Sequence, residues 1–201
     1  MSHPSELWTW EKCADKMRLL PGRNGFPKSS ILSFLGYELD IEKGRIIDTF
    51  TGDEITRGNR TYRSITHTIF YVLSAYSNAD EVSPTGKKVS SKQFRGNQFT
   101  RRGYSGEAFN LVRTFGSNPE KLVEATKVLG GDVTNFPVGD IAVELYPLPR
   151  VPMTIVLGLA DEEFPAEAWI YFDETIESYF DSEQTYFLTH LTVKRLIEAT
   201  K

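Results

Sequence analysis

Two apolar segments separated by a two-residue break constrain this chain more than any other feature. "DIAVELYPL" (140–148) and "VPMTIVLGLA" (151–160) flank Pro149-Arg150. Each reads as a strand, and the second carries no charged side chain. A strand apolar on both faces belongs in the middle of a sheet. "AWIYFD" (168–173) follows as a third strand. Further forward, "ILSFLGYELDIEKGRIIDTFTGDEI" (31–55) reads as short strands with a turn at 42–45, and "KKVSSKQF" (87–94) as another strand.

Helical spacing fills the remaining stretches. Leu7, Trp10, Cys13, Met17 and Leu20 recur at helical intervals behind Ser5, which predicts a helix over about 5–20 with Ser5 as its cap. Residues 60–76 form the central helix. Two more span 105–116 and 119–129, the second opened by Pro119 and stopped by Gly130-Gly131. Asp173 to Phe180 and Ser182 to Thr200 are the closing pair. Segments 21–30 and 77–86 read as loops. Helices and strands mix without strict βαβ alternation. The class is therefore α+β, with an antiparallel or mixed sheet in a single domain over 1–201 and two C-terminal helices.

Composition excludes several function classes. Cys13 is the sole cysteine, so the chain alone forms no disulfide and holds no iron–sulfur cluster. The most apolar run, 151–160, is half of the ~20 residues that cross a bilayer. The start, "MSHPSELWTWEKC", lacks the basic and apolar regions of a signal peptide. These features predict a cytoplasmic protein without a membrane partner. Charge is distributed unevenly. Residues 56–102 carry nine Lys or Arg against two acids, and 140–183 carry eleven acids against Arg150 alone. Either the two halves face one another or the basic one serves an anionic partner.

Three sets of residues are candidates for chemistry. At 100° per residue, Arg60, Arg63, His67, Tyr71 and Ser74 share a stripe of roughly 80° on the central helix. Arginine forks match carboxylates and phosphates bidentately, and an imidazole ligates metals or moves protons. The alternative is a polar helix face paired with the acidic half. The segment 87–106 interleaves Lys87, Lys88, Lys92, Arg95, Arg101 and Arg102 with Phe94, Phe99 and Tyr104. That composition suits an anionic ligand or single-stranded nucleic acid, although a pI near 5.5 disfavours nucleic acid. Asp161, Glu162 and Glu163, at the exit of the apolar strand, suit a divalent cation, a base or a structural turn. Asp173, Glu174 and Glu177 fit a helix cap and the positive end of a helix dipole. His190 reads as a structural histidine. No HExxH, CxxC, P-loop, GxGxxG or GxSxG pattern is present.

"FLGYELDI", "PTGKKVSSKQFRGNQFTRRGYSG…LVRTFG" and "RVPMTIVLGLADEEFPAEAWIYFDETIESYF" occur in that order. Together they resemble a prokaryotic domain-of-unknown-function family found mainly in anaerobic bacteria and archaea, over about 28–200. Ala160 stands where the resemblance expects Gly, and Lys87-Lys88 where an aromatic often follows the Gly. Some relatives carry an added cysteine-rich cluster-binding region, which this chain lacks. The resemblance implies anaerobic redox or one-carbon metabolism, in which corrinoids and other tetrapyrroles are common.

The leading expectation is a non-catalytic binding protein for an anionic cofactor, specifically a corrinoid or haem. Arg60, Arg63, His67, Tyr71, Arg101 and Arg102 would bind it, with His67 or His190 as axial ligand. The first alternative is an enzyme that uses Asp161, Glu162 and Glu163 with a divalent metal. The second is an adaptor whose basic 87–102 segment docks a protein or nucleic acid.

Overall fold

The computed structural model describes residues 8–55, 60–94 and 101–201, with the side chains of 60–64 and 101–102 outside that description. The expected cap at Ser5 also lies outside the described residues. Helix α1 runs from Trp10 to Met17, because Thr9 is still extended at φ −105°. It therefore starts later than expected, but Trp10, Cys13, Met17 and Leu20 are all buried. Three short strands follow: β1 (Ile31–Phe34), β2 (Tyr37–Asp40) and β3 (Arg45–Asp48). They pair as an antiparallel meander in the order β1-β2-β3.

Both turns of the meander are fixed by local chemistry. Leu35 and Gly36 take φ +48° and +69°, the pair of positive values that a two-residue type I′ hairpin needs. At the second turn the Asp40 carboxylate accepts the Glu42 and Lys43 N–H groups. Gly44 then approaches α1 so closely that a Cβ there would fall inside the Trp10 indole.

After α2 (Arg60–Asn78) comes the larger, five-stranded sheet. Its strands are β4 (Lys88–Ser90), β5 (Asp132–Val133), β6 (Ile141–Leu148), β7 (Val151–Gly158) and β8 (Glu167–Asp173). The order is β4-β8-β7-β6-β5, and every described pairing is antiparallel. The class is α+β, as expected, although the strands divide between two sheets. β7 is central and buried along nearly its whole length. Met153, Ile155 and Leu157 join the helix-covered core. On its other face Val156 lies under the 134–140 loop, where Gly139 abuts it.

Helices α3 (Arg101–Phe115) and α4 (Glu120–Val128) precede β5. Gly130, at φ +79°, ends α4. α5 (Ile176–Tyr179) is a single turn, and α6 (Ser182–Glu198) is the long closing helix. Asp181 and Gln184 form a reciprocal capping box at the start of α6. Thr185, Thr189 and Thr192 on its buried face each return a hydroxyl to the carbonyl four residues earlier.

A buried arginine on α6 ties that helix to the β1–β3 meander. Arg195 is 1% exposed and forms a two-pronged pair with Asp48, at 2.8 and 2.9 Å. It also donates to the Leu35 and Gly36 carbonyls and to Glu198. Its guanidinium lies between the Tyr37 and Phe50 rings, 4.1 and 3.9 Å from their centroids. Burial alone would raise the Asp48 carboxyl. The hydrogen bonds from Arg195 and the Phe50 N–H outweigh it and hold Asp48 below the usual carboxylate range. Among the described residues, no helix is long and apolar enough to cross a membrane.

Candidate functional site

A mismatch in strand length opens a cavity beside β8. β4 has three residues and pairs only with Tyr171, Phe172 and Asp173 of β8. Ala168, Trp169 and Ile170 keep β7 on one side and have no described strand on the other. A 3-10 turn at Ser91–Gln93 follows β4, with Gln93 folded back onto the Ser90 N–H. α3 then crosses the gap. Residues 95–100, which connect the turn to α3, lie outside the described residues.

The resulting half-open space has a volume of about 850 Å³. Ser90, Ser91 and Lys92 form one wall; Tyr104, Ser105 and Ala108 of α3 form a second; the β8 edge with Trp169 and Tyr171 forms the third. Three hydroxymethyl groups and an ammonium therefore line a space otherwise bounded by two phenols, an indole and apolar carbon. Small-molecule sites generally combine apolar walls with a few polar groups in this size range.

The aromatic walls are held rigidly. Tyr104 is 7% exposed, donates to the Ser182 carbonyl at 3.1 Å and packs edge-on against Phe94 and Phe172. Burial pushes its phenol up, and the nearby Asp181 charge adds to the effect. Tyr171 stacks on Phe136 with ring centroids 4.6 Å apart.

Of the six expected binding residues, His67 and Tyr71 have described side chains, and neither lines this cavity. Arg101 and Arg102 open α3 and so belong to a wall element, but their side chains lie outside the described residues, as do those of Arg60 and Arg63. Tyr71 is enclosed between Trp8 and Phe187, at 4.7 and 5.6 Å, and donates to Glu183. His67, one turn earlier on α2, is half-buried. Tyr71 thus packs against α6, where its polar partner is an acid from the C-terminal half.

The acidic cluster divides. Asp161 accepts the Glu163 and Phe164 N–H groups at 2.8 and 2.7 Å, which closes a turn and lowers its carboxyl. Glu162 and Glu163 are exposed at the same hairpin tip. Among the described residues, no three His, Cys, Asp or Glu side chains come together as a metal-binding group. The expected helix cap at Asp173 is corrected by position, since the N-cap of α5 is Thr175. The Asp173 carboxylate accepts the Thr175, Thr85 and Gly86 N–H groups and so anchors the loop before β4. Burial opposes ionisation there, but these bonds prevail and lower its pKa. Glu174 pairs with Lys87 at 2.7 Å.

Trp169, Tyr171, Ser90, Ser91 and Ser105 were not among the expected site residues. For Trp169 and Tyr171 the signal was the period-two alternation of "AWIYFD", which turns them and Asp173 to one face and Ala168, Ile170 and Phe172 to the other; the three serines carried none.

No curated protein and no solved structure matches the chain significantly. A family model does match, over residues 26–195. The chain therefore belongs to the domain-of-unknown-function family DUF3786.

Proposed function

We propose that this protein binds a planar, anionic organic molecule in the cavity beside β8. The observation that carries the reading is the cavity itself: about 850 Å³, half-open, with an indole and two phenols as walls and Lys92 and three serines at its polar rim. Aromatic faces receive a flat ring system, while an ammonium and hydroxyls receive carboxylates. The start of α3 adds Arg101 and Arg102 to the same wall element. Binding rather than catalysis is the reading, because among the described residues the lining offers an ammonium, hydroxyls and aromatic rings and neither a carboxylate nor an imidazole.

A tetrapyrrole, corrinoid or haem, remains the specific candidate, with one change to its recognition. No lining residue is a histidine, so peripheral carboxylates rather than an axial imidazole would direct the binding.

The test is titration of the purified protein with haemin, protoporphyrin IX and hydroxocobalamin, read by absorbance, tryptophan quenching and melting temperature. Ala108→Trp, which fills the cavity from α3, is the control. A probe at 100 times its Kd stabilises by about 2.7 kcal/mol, or several degrees for a chain of this size. Saturable quenching and a raised melting temperature that Ala108→Trp abolishes are expected. No response to any of the three probes, or an equal response in Ala108→Trp, would overturn the reading.

A further inference from the structure

Away from the cavity wall, α3 and α6 build a second arrangement that the binding function does not use. At Gly103 the two helices approach so closely that a Cβ would enter the Tyr186 ring. One helical turn further along each, the same approach brings Glu107 to His190, with Oε1 2.7 Å from Nδ1. Gly103 to Glu107 and Tyr186 to His190 are both i, i+4 steps, so one glycine sets the distance of the pair.

Glu107 is 5% exposed, whereas the His190 side chain is 47% exposed. A buried carboxylate is costly unless well compensated. The other two buried carboxylates are richly supplied. Asp48 takes the Arg195 fork and the Phe50 N–H; Asp173 takes three backbone N–H groups and the Thr175 hydroxyl. Glu107 has the imidazole and a long contact of 3.4 Å from Asn110, its neighbour on the same helix. A glutamine would join two helices at lower cost. What a carboxylate adds is control of the imidazole: as an acceptor it favours the proton on Nδ1, fixes the ring and leaves Nε2 as the acceptor nitrogen.

We infer that Glu107 and His190 form a general-base dyad whose working atom is Nε2 of His190. Nε2 lies across the ring from the Nδ1 that meets Glu107, the His190 side chain is 47% exposed, and the Tyr186 ring centroid is 6.3 Å away. The step is a proton transfer alone. Nε2 accepts the proton of a water or a small O–H or N–H acid, Nδ1–H stays on Glu107, and the proton leaves to product or solvent. Glu107 is a positioning residue, and His190 is the group that meets the substrate.

Two measurements on the full chain test this. Long-range ¹⁵N–¹H spectra of the imidazole report which nitrogen carries the proton. Hydrolysis of ethyl dichloroacetate, whose alkoxide leaves too poorly for imidazole to displace it, reports proton transfer at Nε2: Nε2 takes a proton from water as that water adds to the carbonyl, ethanol leaves with the proton, and dichloroacetic acid and free imidazole result. The expected results are an Nδ1–H tautomer and a hydrolysis rate lost in His190→Gln. The rate should fall about tenfold in Glu107→Gln, whose tautomer population should become mixed. Gly103→Ala should reduce the rate while leaving both dyad residues in place. An Nε2–H tautomer in the wild type, or a rate unchanged in His190→Gln, would reduce the pair to a helix clamp and overturn the proposal. Neither readout depends on whether the β8 cavity binds the tetrapyrrole probes.

Discussion

Arg195→Met should be among the most destabilising single changes in this protein, for reasons that can be counted. The substitution removes both prongs of the pair with Asp48, which is 8% exposed and would keep only the Phe50 N–H. It also withdraws the donor to Leu35 O, in a hairpin whose two central residues both have positive φ. Gly36 O still has the Thr49 N–H and hydroxyl, so that carbonyl is not left bare. Breaking one side of a buried ion pair costs about 3–5 kcal/mol. For a chain of this size each kcal/mol moves the melting temperature by roughly 2–4 °C, so a fall on the order of 10 °C is expected. Arg195→Lys keeps the charge but not the fork, and should lose about half as much.

Asp48→Leu combined with Arg195→Met should recover most of that loss, because an apolar pair no longer strands a charge. The measurement is urea unfolding of all four proteins as a double-mutant cycle, with equal slopes required before the midpoints are compared. An Arg195→Met cost below about 1 kcal/mol, or a double variant no better than the single ones, would refute the buried-pair account. There is also a pH arm with a fixed sign. The Asp48 carboxyl is held below its unfolded value of about 3.9. Its contribution is therefore complete above that pH and lost as pH falls through the folded value. The gap between wild type and the double variant should narrow on the acid side of pH 4.

Gly44→Ala should cost about 2–4 kcal/mol, since it adds positive-φ strain to overpacking against Trp10; the urea midpoint checks it. Asp173→Asn should cost about 1–2 kcal/mol at neutral pH, because three backbone N–H groups lose a charged acceptor. Its folded pKa is lowered, so the wild-type advantage should vanish as pH falls through that value. Faster amide exchange at Gly86 would place the loss at the loop.

The strands were legible in the sequence because hairpins declare themselves locally. The Pro149-Arg150 break between two apolar runs specifies β6 and β7, and the apolar run specifies the centre of the sheet. α2 was legible by periodicity, with Ile69, Val72, Leu73 and Tyr76 buried. What periodicity could not show is which residues, distant in the chain, come together. Arg195 sits near the end of a helix that reads as polar, yet its partners are 147 to 160 residues earlier, on the meander. Glu107 and His190 are 83 residues apart, and neither lies in a motif. The cavity was illegible for a different reason. It arises because β4 is shorter than β8, and the length of an edge strand is set by what crosses its end.

The charge asymmetry acquires a physical meaning once β4 is placed. The basic segment and the acidic segment meet where an edge strand joins the sheet: Lys87 reaches Glu174, and Lys88 reaches across to Glu144, which also accepts the Thr154 hydroxyl. Three residues of ladder are little to hold an edge strand, and exposed, solvent-screened ion pairs such as Lys87–Glu174 add little. The half-buried Lys88–Glu144 pair and the Asp173 anchor on the preceding loop are therefore the stronger ties. A lysine on so short an edge strand also discourages pairing with another chain. The strand that carries that lysine ends at Ser90, where the cavity begins. This short edge strand and the residue before it thus pair with two acids of the acidic half, and the strand stops early enough to leave the β8 edge open beside Lys92.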